Sequence, residues 1–184
     1  MIKNKKDFKY YLESDEIARW GKKTSFLKKL KKGDLWKYMF ILRKLEFSMN
    51  CKKGFFKQIS SIFYRILLNH YQVKTGWTIP PNVCGPGLLV VHRGTVVISP
   101  KAKIGRNCRI HACVNIGDWN GGSPNIGNNV YIGPGAKIFG NINIADGVAI
   151  GANAVVNKSI FEESISVGGI PAKIISNKGN KYQK

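Results

Sequence analysis

A chain of 184 residues with 43% apolar side chains suits one folded domain with a small extension and is too apolar for a disordered polymer. Its formal charge of +20 favours anionic partners: nucleic acid, an acidic membrane face, an anionic glycan or a nucleotide cofactor. No run of about twenty apolar residues is present to form a spanning helix, and no secretory pattern opens the chain, so a cytoplasmic protein is expected.

Residues 1–76 read as a basic helical segment, with 19 Lys or Arg against 6 Asp or Glu, whereas the remainder carries 11 against 4. Phe8, Tyr11, Leu12, Ile17 and Trp20 predict one short amphipathic helix, and Gly21 and Gly33 interrupt. Asp34 is placed to cap a second helix, in which Leu35, Met39, Leu42 and Phe47 recur near helical spacing. A third, over residues 55–71, sets Phe55, Ile59, Ile62, Phe63, Ile66 and Leu67 on one stripe, expected to pack on the rest of the chain. These helices could also pair with copies of themselves, and their Lys and Arg suit peripheral contact with an anionic membrane at its inner face.

From Pro80 the chain keeps a six-residue period over 77–161. One column runs Pro80, Pro86, His92, Ile98, Ile104, Ile110 and Ile116, then after a break continues from Ile126 by sixes to Val156. A second column of smaller side chains runs four residues behind it, with Cys84, Val90, Val96, Ala102, Cys108 and Val114 at its start. An inward aliphatic and a small partner in every hexad predict a parallel β-helix, three short strands to each triangular coil. Residues 162–184 read as a closing segment and tail. Cys51, Cys84, Cys108 and Cys113 have no metal or disulfide spacing and read as reduced.

The period breaks once, where Ile116 to Ile126 spans ten residues and expels Asp118–Asn125 as a loop. A loop on a rigid scaffold is a natural place for chemistry, and its two glycines predict flexibility. His92 stands in a slot that later coils fill with Ile, and an imidazole buried there without a partner costs about 1–3 kcal/mol. His111 lies nineteen residues on, one coil away, either beside His92 or on the opposite face. A zinc site needs three imidazoles around an open position, and the solenoid holds two, so no metal is expected. No recognition motif accompanies the charge, so neither is a nucleic-acid partner.

The segments VVHRGTVV (90–97), DWNGGSPN (118–125), IGPGAKIFG (132–140), IGANAVV (150–156) and GGIPAKII (168–175) resemble the hexapeptide-repeat acyltransferases, in the branch of serine acetyltransferase. The basic N-terminus and IPPNVCGPG (79–87) are most similar to the capsule and exopolysaccharide O-acetyltransferases of that branch. The resemblance implies a left-handed parallel β-helix, a homotrimer with sites in grooves between copies, and acetyl-CoA as co-substrate. Pairing of two trimers is left open. By position it implies His92 as general base on the acceptor hydroxyl, since imidazole titrates near neutrality and can return the proton to the leaving thiolate. It implies Gly135, Ala136, Lys137, Gly151 and Ala152 beside the pantetheine arm, with Gly169, Pro171 and Lys173 near the adenine end.

The chain also departs from serine acetyltransferase. Val91 stands where that family has an aspartate before the base, and Gly122 and Ser123 stand where it has an Arg–His pair before Pro124. These changes remove groups that would grip a free amino acid's carboxylate and ammonium. Asp118 is then the candidate to orient His92, with His111 a second catalytic candidate. Trp119 and Ser123 are candidates for binding the acceptor, Trp119 by stacking on a sugar ring. The expectation is acetylation of a sugar hydroxyl of a surface polysaccharide or its precursor, with serine as the alternative acceptor.

Overall fold

Asn4 opens the first helix by accepting a hydrogen bond from the Asp7 N–H (2.9 Å), and Gly21, with φ of 70°, closes it. In a computed structural model the described residues are 1–23, 33–51 and 53–181, so residues 24–32, 52 and 182–184 of the expected helical segment and tail lie outside them. Three helices are described: α1 (Lys5–Trp20), α2 (Asp34–Cys51) and α3 (Gly54–Thr75). They sit over the first coil. Tyr38 of α2 meets Trp77 edge to face at 5.2 Å, and its hydroxyl accepts from the Ile79 N–H at 3.1 Å.

The third helix packs the other way round from the expectation. Tyr64, Leu67, Leu68, Tyr71 and Thr75 turn toward the chain's own core, whereas Phe55, Ile59, Ile62, Phe63 and Ile66 of the expected core stripe point outward and are exposed. Both faces of α3 are apolar, and the face with the two tyrosines won the contact. Leu67 alone of that stripe packs inward.

Among the described residues fourteen strands follow, each of two to four residues, and every pairing but the last is parallel. They form three walls: sheet I of β1 (Trp77–Thr78), β3 (Val96–Ile98), β6 (Val114–Gly117), β9 (Lys137–Phe139) and β12 (Val155–Val156); sheet II of β4 (Lys103–Ile104), β7 (Asn125–Ile126) and β10 (Asn143–Ile144); and sheet III of β2 (Leu89–Val90), β5 (Arg109–Ile110), β8 (Tyr131–Ile132), β11 (Ala149–Ile150), β13 (Ser166–Gly168) and β14 (Lys173–Ser176). The isoleucine column is the core. Ile98 (β3, Val96–Ile98), Ile110 (β5, Arg109–Ile110), Ile132 (β8, Tyr131–Ile132) and Ile150 (β11, Ala149–Ile150) are each no more than 2% exposed. Each contributes about 1.5–3 kcal/mol by leaving water. The fold is a parallel β-helix of about five turns with a helical cap.

At the mouth of the prism the columns shift. Val90 of β2 (Leu89–Val90) pairs with Ile110, and Cys84 bridges to Ile104, so Cys84 and Val90 take slots of the isoleucine column. Pro80, Pro86 and His92 fall out of it. The cause is the corner between sheets III and I. Six residues separate Val90 from its successor Val96, whereas four separate Ile110 from Val114. The two additional residues carry His92 outside.

One buried ion cluster locks the cap to the prism. The guanidinium of Arg43 donates to Asp15 (2.9 Å), Glu46 (2.9 Å) and the carbonyls of Cys84 (2.9 Å) and Gly85 (2.7 Å). Asp15 in turn accepts from the Gly87 and Leu88 N–H groups, and Glu46 from that of Asn82. Every member is thus paired, as burial of charge demands. Cys84 and Cys108 are buried free thiols, and burial pushes Cys108 up to about 12.

Candidate active site

Each turn leaves sheet III and enters sheet I through one edge of the prism, and that edge gathers most of the expected site. Stacked along it are His92, then His111 and Ala112, then Gly135, then Gly151 and Ala152, then Gly169. Successive hydrogen bonds bind these levels: Val91 N–H to Ile110 O, His111 N–H to Ile132 O, Gly135 N–H to Ala112 O and Gly151 N–H to Val167 O. Gly135 has φ of 77°, and a Cβ there would collide with the Asn153 amide oxygen, so the edge accepts no side chain at this level. Ala136 is fully buried beside it.

His92 projects from this edge as an exposed ring. Its backbone is fixed from beneath, because the buried Trp77 indole donates to the His92 carbonyl at 3.2 Å. Arg19 donates to Val90 O at 2.6 Å, and Arg93 pairs with Asp34 at 2.8 Å, so both flanks of His92 are tied to the helices. The composition of the hexads carried no signal for these three supports.

His111 lies on the same side as His92, the rings 6.1 Å apart, and its other face meets Tyr131 at 5.1 Å. Its Nε2 is buried without a hydrogen-bond partner. Burial first, then Arg109 and His92, hold its pKa below the ordinary histidine value. The unfolded chain therefore binds this proton more tightly than the folded one. Stability is full above the unfolded value near 6.5 and is lost as pH falls through it toward the lower folded value. We expect thermal melts of His111→Leu to lack this part of the acid-side loss, and equal slopes in the two proteins would show that His111 is not its source.

Lys137 reaches along the outer wall of sheet I, donating to Cys113 O (2.7 Å) and Asn115 Oδ1 (2.5 Å). Its charge is thus spent on the coil above. The Ile170–Pro171 bond is cis, Ala172 N–H donates to Val155 O, and Lys173 begins the exposed strand β14 (Lys173–Ser176).

Asp118, Trp119 and Ser123 stand on a different edge, between sheets I and II, with strand β6 (Val114–Gly117) between them and His111. Within one copy Asp118 does not orient His92. Its carboxylate accepts from Ser123 and faces Lys101 at 3.9 Å. Hydrogen bonds from Ser123 and then Ser99 lower its pKa. The expected flexible loop is a tight turn: Trp119 and Gly122 exchange both backbone hydrogen bonds (3.0 and 3.2 Å), while Asn120 (φ 48°) and Gly121 (φ 77°) take the left-handed conformation. Asn-Gly is the natural pair for such a two-residue hairpin. Trp119 packs edge to face with Phe139 (6.2 Å, 86°) and lies over Gly140, while 58% of the residue stays exposed.

Among the described residues no group of three or more His, Cys, Asp or Glu side chains is arranged to hold a metal ion. Cavities of about 450 and 490 Å³ open elsewhere, under α1 and along the edge between sheets II and III, and His92 lines neither.

No family model matches the chain. It is 34% identical over 129 residues to the serine acetyltransferase of Synechococcus elongatus, covering 67% of this chain and 52% of that protein. It is 39% identical over 115 residues to that of Staphylococcus aureus, covering 60% and 54%. The chain thus spans about half the length of these curated relatives. Among solved structures, serine acetyltransferase from Brucella abortus superposes with a TM-score of 0.76 at 25% identity, over 96% of this chain and 72% of that one. The same enzyme in complex with coenzyme A gives 0.75 at 26% identity, over 96% and 71%. These relatives overturn the expected polysaccharide acceptor and the placement nearest the capsule enzymes. The chain has the hexapeptide-repeat β-helix acyltransferase fold of serine acetyltransferase.

Proposed function

We propose that the chain transfers the acetyl group of acetyl-CoA to the hydroxyl of serine, with His92 as general base. The observation that carries this reading is an exposed imidazole held at the head of an edge of small residues, in a chain whose relatives are named serine acetyltransferase. His92 takes the hydroxyl proton as the oxygen attacks the thioester carbonyl. The carbon–sulfur bond breaks, and the imidazolium returns the proton to the departing thiolate. Gly135, Gly151, Ala152, Gly169 and Pro171 would flank the pantetheine arm along the same edge, where missing side chains permit close approach, whereas Ala136 is sealed in the core and would not reach it. Lys173 would lie at the adenine end. His111 acts as a positioning residue. Kept neutral by its surroundings, it packs against the His92 ring without placing a second positive charge beside it.

A homotrimer belongs to this reading. His92 stands on one edge and Asp118, Trp119 and Ser123 on another, and a groove between two copies would bring such edges together. With Val91 and Gly122–Ser123 in place of the usual charged groups, the cation next to the base in the chain is Arg93, paired with Asp34 and with its side chain 63% exposed. It would meet the serine carboxylate. The test is release of free thiol from acetyl-CoA by the purified chain with L-serine, with mass spectrometry of the product. We expect serine-dependent thiol release and O-acetylserine. Hydrolysis that ignores serine, or no turnover, would reject serine as acceptor.

A further inference from the structure

One recurring bond holds the prism coil to coil. Ile104 O accepts from the Gly85 N–H above it, Ile110 O from that of Val91 and Ile116 O from that of Ser99, and the next coil repeats this with Ile126 from Gly105 and Ile132 from His111. Cys84, Val90 and Ile79 hold the matching places in the first coil. Among the described residues no strand pairs on their other side. Side chains of the helices supply the missing donors. The Tyr38 hydroxyl donates to Ile79 O at 3.3 Å, Arg43 to Cys84 O at 2.9 Å and Arg19 to Val90 O at 2.6 Å, one to each wall.

We propose that Arg19 is a positioning residue for the general base, standing in for a coil above sheet III and setting where His92 leaves the edge. The inference rests on His92 as the base proposed above. Asp15 and Arg19 lie one turn apart on α1 and bracket β2 between them. Asp15 accepts from the Gly87 and Leu88 N–H groups that lead into the strand, and Arg19 donates to the carbonyl at its end. His92 follows two residues later on the long corner. The exit of that corner is fixed by bonds from Gly94 N–H to Thr75 O and from Val96 N–H to Gly76 O, and its middle by the Trp77 indole. Its entry is held by the Val91 N–H bond to the coil beneath and by Arg19 from above. A hydrogen bond from a cation is about twice as strong as a neutral one. Without it the entry is held from one side, and a base displaced by about 1 Å loses about 10²-fold in rate.

Arg19→Met keeps the aliphatic stem and removes the donor. We expect kcat for acetyl transfer to fall about 10–100-fold, with KM for acetyl-CoA within about twofold of wild type, because the pantetheine edge below is untouched. Arg19→Lys, which keeps a cationic donor, should recover part of the loss. Tyr38→Phe removes the matching donor from sheet I, and should lower the melting temperature while leaving kcat near wild type. The chain has three histidines, so each imidazole signal in proton–carbon NMR can be assigned by single replacement. In Arg19→Met the His92 signal should move while that of His70, on α3, stays. Arg19→Gln, whose shorter neutral amide does not replace the bond, gives the same readings if the Met variant does not fold. Turnover of the folded variant within about twofold of wild type, an unmoved His92 signal, or an equal fall in kcat for Tyr38→Phe would overturn the proposal. If wild type releases no thiol in response to serine, the acceptor reading falls by itself, and the His92 signal alone decides whether Arg19 positions the ring.

Discussion

Replacing His92 by Ala is expected to lower acetyl transfer by about 10²–10⁴-fold, the usual worth of a positioned general base. The ring is exposed, so its removal opens no cavity, and the Trp77 indole keeps its bond because the acceptor is the backbone carbonyl. Melting temperature and binding of acetyl-CoA should therefore stay near wild type. The loss should fall on kcat rather than on KM for acetyl-CoA, the signature of a group that acts in the transition state. Thiol release measured against acetyl-CoA and serine concentration checks it. Turnover within a few-fold of wild type would remove His92 from the mechanism.

Arg43→Ala is expected to cost about 3–5 kcal/mol of folding stability, because breaking one partner of a buried ion cluster strands the others. Asp15 and Glu46 would keep their burial and lose their cation, and the Cys84 and Gly85 carbonyls would lose their donor. Removing the carboxylates as well, in Arg43→Met/Asp15→Asn/Glu46→Gln, should return part of the loss. Urea denaturation of the single and triple variants measures both. A single variant within about 1 kcal/mol of wild type would show that the cluster is not what holds the helices to the first coil. Transfer should suffer too, since Asp15 holds the N–H groups of Gly87 and Leu88, immediately before the strand that leads to His92.

How far these features were legible varied with how local their causes are. The inward isoleucines from Ile98 to Ile150 were legible because burial repeats every six residues and nothing interrupts it except the Asp118 turn. The exposure of His92 was not, since the two residues added at its corner leave the hexads on either side in phase with one another. The Asn120-Gly121 pair offered a hairpin signal, and the reading of flexibility from Gly121 and Gly122 passed over it. In α3 the two apolar faces compete on equal terms in a helical projection. Tyr64 and Tyr71 could be assigned inward only once α2 was in place. Whether His92 and His111 share a side depends on register, which composition does not encode.

The far end of the prism carries its own stop. β14 folds back antiparallel on β13 (Ser166–Gly168) with a register irregularity, Gly169 and Ala172 take the hydrogen bonds of Val155, and Ile160 takes those of Asn143 and Ala145. All three walls thus finish on the molecule's own closing segment, while the helices cover the opposite mouth. A stack of parallel strands is by geometry a template for endless extension, and here a short, exposed antiparallel strand breaks the parallel repeat at one end while helices occupy the other, so a further coil cannot simply continue the thread into a fibre.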